Sequence, residues 1–307
     1  MAQKNVALVL GGGGAAGNAW LIGIIAGLAD AGLDMTEATD LVIGTSSGAT
    51  AAAHVRSGMP PAELLAWILS PPVQPLGRKR ERPPSSATSL PMATVFERMR
   101  AIGAAATSAI GLQRAMGAFG LESDAILGPA AAEERRAMVA ARLPRHDWPE
   151  RPMIVVALDA HTGELTVFDR SSGVDLVDAV TAATAMPGMA HTHSINGNRY
   201  INGGVRSADN ADLAAGYANV VVLSPFSGRS GPLPEGQFEG LRRLPGMDLA
   251  SQVEGLRKKG SRVEVITPDA ASRAAMGTDQ MDPATRIPSA QAGYAQGKLE
   301  AGRLTFL

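Results

Sequence analysis

The chain has 307 residues, 45% of them hydrophobic, with 28 basic and 29 acidic side chains and a formal charge of −1. That is enough apolar material for one large core, and a near-zero charge gives no overall field to draw in nucleic acid, so any partner is chosen locally. The absence of cysteine excludes disulfides, thiolate metal sites and cysteine nucleophiles, and it suits a reducing compartment.

Residues 5–10 read as a buried strand. The apolar run 6–10 is too short for the core of a secretory signal and four glycines break it, so the reading is the first strand of a cytoplasmic protein. Residues 17–32, with Trp20, Ile24 and Leu28 on one face, predict a helix; 41–44 predict a second strand that runs into a helix over 47–57. Two successive strand, glycine turn, helix units imply a parallel sheet that binds ligands at the carboxyl ends of its strands. Residues 60–70 are a further helix with prolines in its first turn.

Residues 71–91 hold six prolines and the basic run Arg78-Lys79-Arg80-Glu81-Arg82, and read as an exposed, mobile loop. That run could touch a phosphate or, transiently, a membrane surface. Residues 92–121 resume as Ala-, Gly- and Met-rich helices, so 71–121 is expected to be a cap within one domain spanning 1–307. Next come a charged helix (129–143), strands 153–158 and 164–168 joined by a hairpin at His161-Thr162-Gly163, and a helix of small residues (176–185). A hairpin over 194–201, turning at Asn196-Gly197-Asn198, makes the sheet mixed at one edge. Strands 220–223 and 263–266 and helices 238–259 and 283–303 complete the chain. No apolar run is long enough to span a bilayer.

Gly44-Thr45-Ser46-Ser47-Gly48 matches G-x-S-x-G where a strand ends and a helix begins. A sharp turn there exposes the Ser46 hydroxyl at the positive end of the helix. Leu10-Gly11-Gly12-Gly13-Gly14-Ala15-Ala16-Gly17 links the first strand to the first helix, and its amides could converge on an oxyanion or a phosphate. Gly12-Gly13-Gly14-Ala15-Ala16-Gly17 also fits the dinucleotide pattern G-x-G-x-x-G. That reading requires an acid at the end of the second strand, where this chain has Thr45-Ser46; Asp34, Glu37 and Asp40 all precede it.

With the later Asn202-Gly203-Gly204, these motifs resemble the patatin-like phospholipase family, as a bacterial member, over roughly residues 5–225. The resemblance implies a three-layer α/β/α sandwich with a mainly parallel central sheet. It also implies a serine lipid acyl hydrolase that uses a Ser-Asp dyad and no cofactor or metal. By implication Ser46 is the nucleophile, Gly12, Gly13 and Gly14 are the oxyanion donors, and the base position falls on Asn202. The expected partner is a lipid or small ester, not nucleic acid; the oligomeric state is open.

The chain departs from the family pattern twice. Ala16 stands where Arg or Lys is usual, with Lys4 or Arg206 as candidate compensation. At Asn202 an amide, which does not accept a proton at neutral pH, replaces the aspartate. Three accounts of Asn202 stand: a deliberate Asp→Asn change that traps substrate, favoured by the intact surroundings; a natural lipid-binding pseudoenzyme; or another base. For the last, His54 lies two turns along the helix from Ser46, and His191 and His193 share one face of a strand leading to Asn202. The latter two could instead begin a zinc site.

Overall fold

The structure, a computed structural model, describes residues 5–70, 90–227, 244 and 246–305. β1 (Val6–Leu10) leads into α1 (Gly14–Asp30), followed by α2 (Met35–Ala38), β2 (Leu41–Thr45), α3 (Ser47–Val55) and α4 (Pro61–Leu69). α5 (Met92–Ala105), α6 (Ala109–Leu127) and α7 (Pro129–Ala140) come next, then β3 (Met153–Asp159), β4 (Leu165–Phe168) and α8 (Leu176–Ala183). β5 (His193–Ile195), β6 (Asn198–Asn202), β7 (Asn219–Leu223), α9 (Leu249–Lys258), β8 (Arg262–Ile266), α10 (Ala270–Met276) and α11 (Arg286–Glu300) complete the order.

The expected elements are present, with shifted ends. α1 begins at Gly14 rather than at residue 17, because the Gly17 amide closes onto Gly13 O (2.8 Å) and makes the glycine turn the first helical turn. The helical stretch expected over 92–121 breaks at 106–108, where the Ser108 hydroxyl accepts from the Gly111 amide and starts α6. The hairpin turns on Asn196 and Gly197 alone, both left-handed (φ 51° and 84°), and Asn198 already belongs to β6. α2 and α10 are short helices capped by Asp34 and Asp269, which apolar periodicity did not register. The basic run 78–82 and most of the early part of the helix expected over 238–259 lie outside the described residues.

β1 is buried on both faces. Leu8 and Leu10 join a core with α1, α3, α4 and α8, while Ala7 and Val9 join a second core with α9 and the 3-10 turn Ala211–Ala214. The sheet is thus sandwiched between helical layers, as a mainly parallel sheet requires. A third apolar cluster packs α5 and α6 against Leu158, Ile201 and Val205. α6 comes this close because Gly117 lies against the sheet: a Cβ there would stand 2.0 Å from Ala160 O.

The eight-stranded sheet runs β8, β7, β1, β2, β3 in parallel, with antiparallel additions around β3. Ala157 and Leu158 pair with Asn202 and Ile201 of β6, and also with Thr166 and Leu165 of β4. Val155 and Val156 pair with Gly44 and Thr45 of β2, and also with Phe168 and Val167 of β4. β4 therefore holds one edge of β3, and β2 and β6 share the other end to end. β2 stops at Thr45, and the next stretch of that edge is taken by β6 arriving from the opposite direction and ending at Asn202.

Candidate active site

This shared edge brings Ser46 and Asn202 together. Ser46 sits between β2 and α3 with φ 55° and ψ −126°, a conformation that costs a side-chain-bearing residue about 1–3 kcal/mol. The flanking glycines make so sharp a turn possible. A Cβ on Gly44 would lie 2.6 Å from Ala49 Cα, and one on Gly48 would lie 2.0 Å from Leu10 O. A serine at a helix N-cap usually turns its hydroxyl back onto the helix. Ser46 does not, and its Oγ accepts a hydrogen bond from Asn202 Nδ2 at 3.0 Å.

Asn202 is buried (1% exposed) and held at both ends. Its backbone amide donates to Ala185 O (2.9 Å), and its Oδ1 accepts from the Gly204 amide at 2.7 Å. Because that backbone donor fixes Oδ1, the nitrogen end must face Ser46. A carboxylate in the same place would keep the Gly204 bond and turn an acceptor toward the hydroxyl.

The glycine turn packs on the serine: a Cβ on Gly12 would stand 3.1 Å from Ser46 Cβ. Its amides are unequally occupied. Gly12 donates to Ala208 O (2.8 Å) and Gly13 to Ser47 Oγ (2.9 Å), whereas Gly14 has no internal acceptor among the described residues. Ser47 was not singled out in the sequence, and nothing in the motif distinguishes it from a small spacer.

Residues 203–210 tie the three turns together. Ala208 O holds Gly12, and Asp209 O accepts from the Thr45 hydroxyl (3.2 Å). Asn210, left-handed at φ 50°, donates to Thr45 Oγ1 (3.1 Å), Ser207 O (2.8 Å) and Gly203 O (3.3 Å). Arg206 is committed to this corner, with bonds to Asn210 Oδ1 (2.6 Å) and both oxygens of Asp212 (3.0 and 2.5 Å). It therefore does not stand in for the cation missing at the buried Ala16. Lys4 lies outside the described residues.

The histidines are engaged elsewhere. His54 is 1% exposed; burial lowers it to about 4, and its Nδ1 meets Thr50 O at 2.7 Å. His193 pairs with Asp178 (2.9 Å), and burial lowers its pKa. Burial raises Asp178, but Arg136 and His193 outweigh it and hold the carboxyl below its ordinary range. His191 precedes β5 instead of sharing its face, and it meets Thr192 O (2.8 Å) and Asp124 (3.4 Å). The two histidines thus bind different carboxylates. No group of three or more His, Cys, Asp or Glu among the described residues is placed to hold a metal ion, and no described helix is long and apolar enough to cross a membrane.

Comparison with solved structures finds VipD from Legionella pneumophila (12% identity, 98% of this chain and 67% of that one, TM-score 0.46). The type III effector protein ExoU is 14% identical over 96% of this chain and 54% of that one, with TM-score 0.33. Full-length ExoU in complex with full-length SpcU, from the type III secretion system of Pseudomonas aeruginosa, gives 16%, 97%, 53% and 0.33. The chain thus spans 67% of the first and 54% and 53% of the other two. No curated protein matches. The family model for patatin-like phospholipases matches residues 8–215, well over half of the 307 residues, and the chain belongs to that family.

Proposed function

We propose that this scaffold hydrolyses the acyl ester of a phospholipid or related lipid through an acyl-enzyme on Ser46, and that Asn202 marks the place of the general base. The observation that supports this most is the 3.0 Å contact between Asn202 Nδ2 and Ser46 Oγ, with the far end of the amide pinned by the Gly204 amide. With aspartate at 202, the free carboxylate oxygen takes the serine proton as Oγ attacks the ester carbonyl. The Gly14 amide, which has no internal acceptor among the described residues, donates to the developing oxyanion, the alcohol departs with the proton, and water then releases the fatty acid. Gly13 joins as a second donor if its amide exchanges the Ser47 hydroxyl for the oxyanion. Gly12 contributes chiefly by leaving room for Ser46.

As sequenced, the amide offers Ser46 a donor where the reaction needs an acceptor, so turnover is weak while the pocket stays intact. α5 and α6, with the apolar cluster beside Ile201 and Val205, form the cap and the acyl-chain wall of one domain. The reading is tested by assaying short-chain and phospholipid esters with Asn202→Asp, with Ser46→Ala as control, and by labelling Ser46 with a fluorophosphonate. Ser46-dependent turnover and labelling are expected. Lipid binding without either would make the protein a lipid holder.

A further inference from the structure

Three arginines on the α3 side of the molecule lack a carboxylate partner. Arg135 on α7 donates to Thr184 O (3.0 Å) and toward the Met138 sulfur (4.0 Å). Arg142, just past the end of α7, donates to the same sulfur at 3.2 Å. One thioether, a weak acceptor, thus serves two guanidiniums. Arg286, at the start of α11, donates to Trp67 O on α4 (3.5 Å), and the Trp67 ring meets His54 edge-on at 6.3 Å. The His54 Nε2 is buried without a partner, and the ring feels the charge of Arg286.

Arg136, Arg199, Arg206 and Arg151 pair with Asp178, Asp124, Asp212 and Glu37. The buried Arg56, which has no ion pair among the described residues, donates to the carbonyls of Thr36, Thr39 and Pro152, with the charges of Glu37 and Asp40 opposing its burial. No ion pair among the described residues includes Arg135, Arg142 or Arg286. Burial lowers all three, Arg135 to about 10; the charge of Arg142 lowers Arg135 and Arg286 further, and no acid counters it. The Arg135 Nε is buried without a partner. Gathering like charges and leaving a buried donor unmet both cost free energy, and nothing in the described protein offsets either. An anion would. Two guanidiniums on one thioether, with the third close enough to feel the charge of Arg142, suit a phosphate, whose oxygens can accept from more than one fork. Trp67 (39% exposed) and Met138 (45% exposed) supply apolar surface beside them.

We propose that Arg135, Arg142 and Arg286 bind a phosphate-bearing anion. His54, whose ring meets Trp67, lies eight residues along α3 from Ser46, roughly 12 Å at the helical rise, so the site is distinct from the serine. Its test does not depend on the hydrolase reading. The phosphate can belong to a soluble ester or to a phospholipid headgroup, and two arms separate these sources.

The full chain is titrated with inorganic phosphate and with glycerol 3-phosphate at ionic strength held constant with chloride. In parallel it is sedimented with phosphatidylcholine vesicles, with and without phosphatidylglycerol. The variants are Arg142→Gln combined with Arg286→Gln, and a charge-matched control of Lys258→Gln with Lys259→Gln. Arg135 is left in place because it holds Thr184 O. Binding that weakens at least ~10-fold in the arginine pair and not in the control is expected; loss in the titration identifies a soluble source, and loss only with phosphatidylglycerol vesicles identifies a headgroup. No binding by the unaltered chain, or equal binding by both variants, overturns the proposal. If the pair fails to fold, Arg142→Gln alone, which removes only the bond to the Met138 sulfur, carries the same comparison.

Discussion

The turn that carries Ser46 and the corner that carries Asn202 face each other across 3.0 Å, yet they are held by different forces. The Ser46 turn is held by contact. Its glycines press against Leu10 O and Ala49, Gly12 presses against Ser46 itself, and the serine backbone is strained. The Asn202 corner is held by directed bonds: Ala185 O, the Gly204 amide, and the buried Asn210 spanning Thr45, Gly203 and Ser207. Steric confinement rejects any added atom. A hydrogen-bonded corner accepts an isosteric exchange, which is how an amide can occupy position 202 with the surrounding geometry intact.

The sharpest test of this contrast is the exchange itself. Asn202→Asp is expected to raise Ser46-dependent ester hydrolysis by about 10²–10⁴-fold, the usual contribution of a positioned base, with little change in thermal midpoint. A large stability loss would show the corner to be as rigid as the turn. Conversely, Gly48→Ala adds one methyl group against Leu10 O and is expected to cost at least about 3 kcal/mol in denaturant titration. A neutral result would break the steric account.

Smaller effects divide the two regions further. Asn210→Ala leaves the Ser207 carbonyl without its donor and should cost about 1–3 kcal/mol. It should also slow fluorophosphonate labelling in the Asn202→Asp background, because the corner that aims the proposed base loosens. Ser46→Gly removes the proposed nucleophile and relieves the positive-φ strain but leaves the buried Asn202 Nδ2 without its acceptor, so an inactive protein within about 1 kcal/mol of the parent is expected. A loss of about 3 kcal/mol or more would mean that the strain is not stored at this residue.

The same contrast explains what the sequence made legible. Contact-driven features leave local marks: the glycines around Ser46, the four glycines after β1 and the apolar strands before them were all readable along the chain. The parallel sheet and the antiparallel edge followed from the succession of units. Bond-driven features do not leave such marks. That Gly12 and Gly13 spend their amides on Ala208 O and Ser47 Oγ depends on neighbours far along the chain or indistinguishable in the motif. Along the chain Arg206 reads as a spare cation and His191 and His193 read as a pair, whereas in the fold Arg206 is bound to Asp212 and each histidine to its own carboxylate. The end-to-end sharing of the β3 edge had no sequence signature, since it is a matter of register between segments remote from one another.

That sharing has a kinetic side. Ser46 and Asn202 are 156 residues apart in the chain, and they meet only when the short β5–β6 hairpin has docked on the stretch of β3 that β2 leaves uncovered. Such a distant pairing forms late in folding and, at a sheet margin, is among the first to open. The hairpin therefore acts as a latch. When it swings away, the serine turn and most of the sheet persist while residue 202 departs, so function would fade on warming before the bulk of the protein melts.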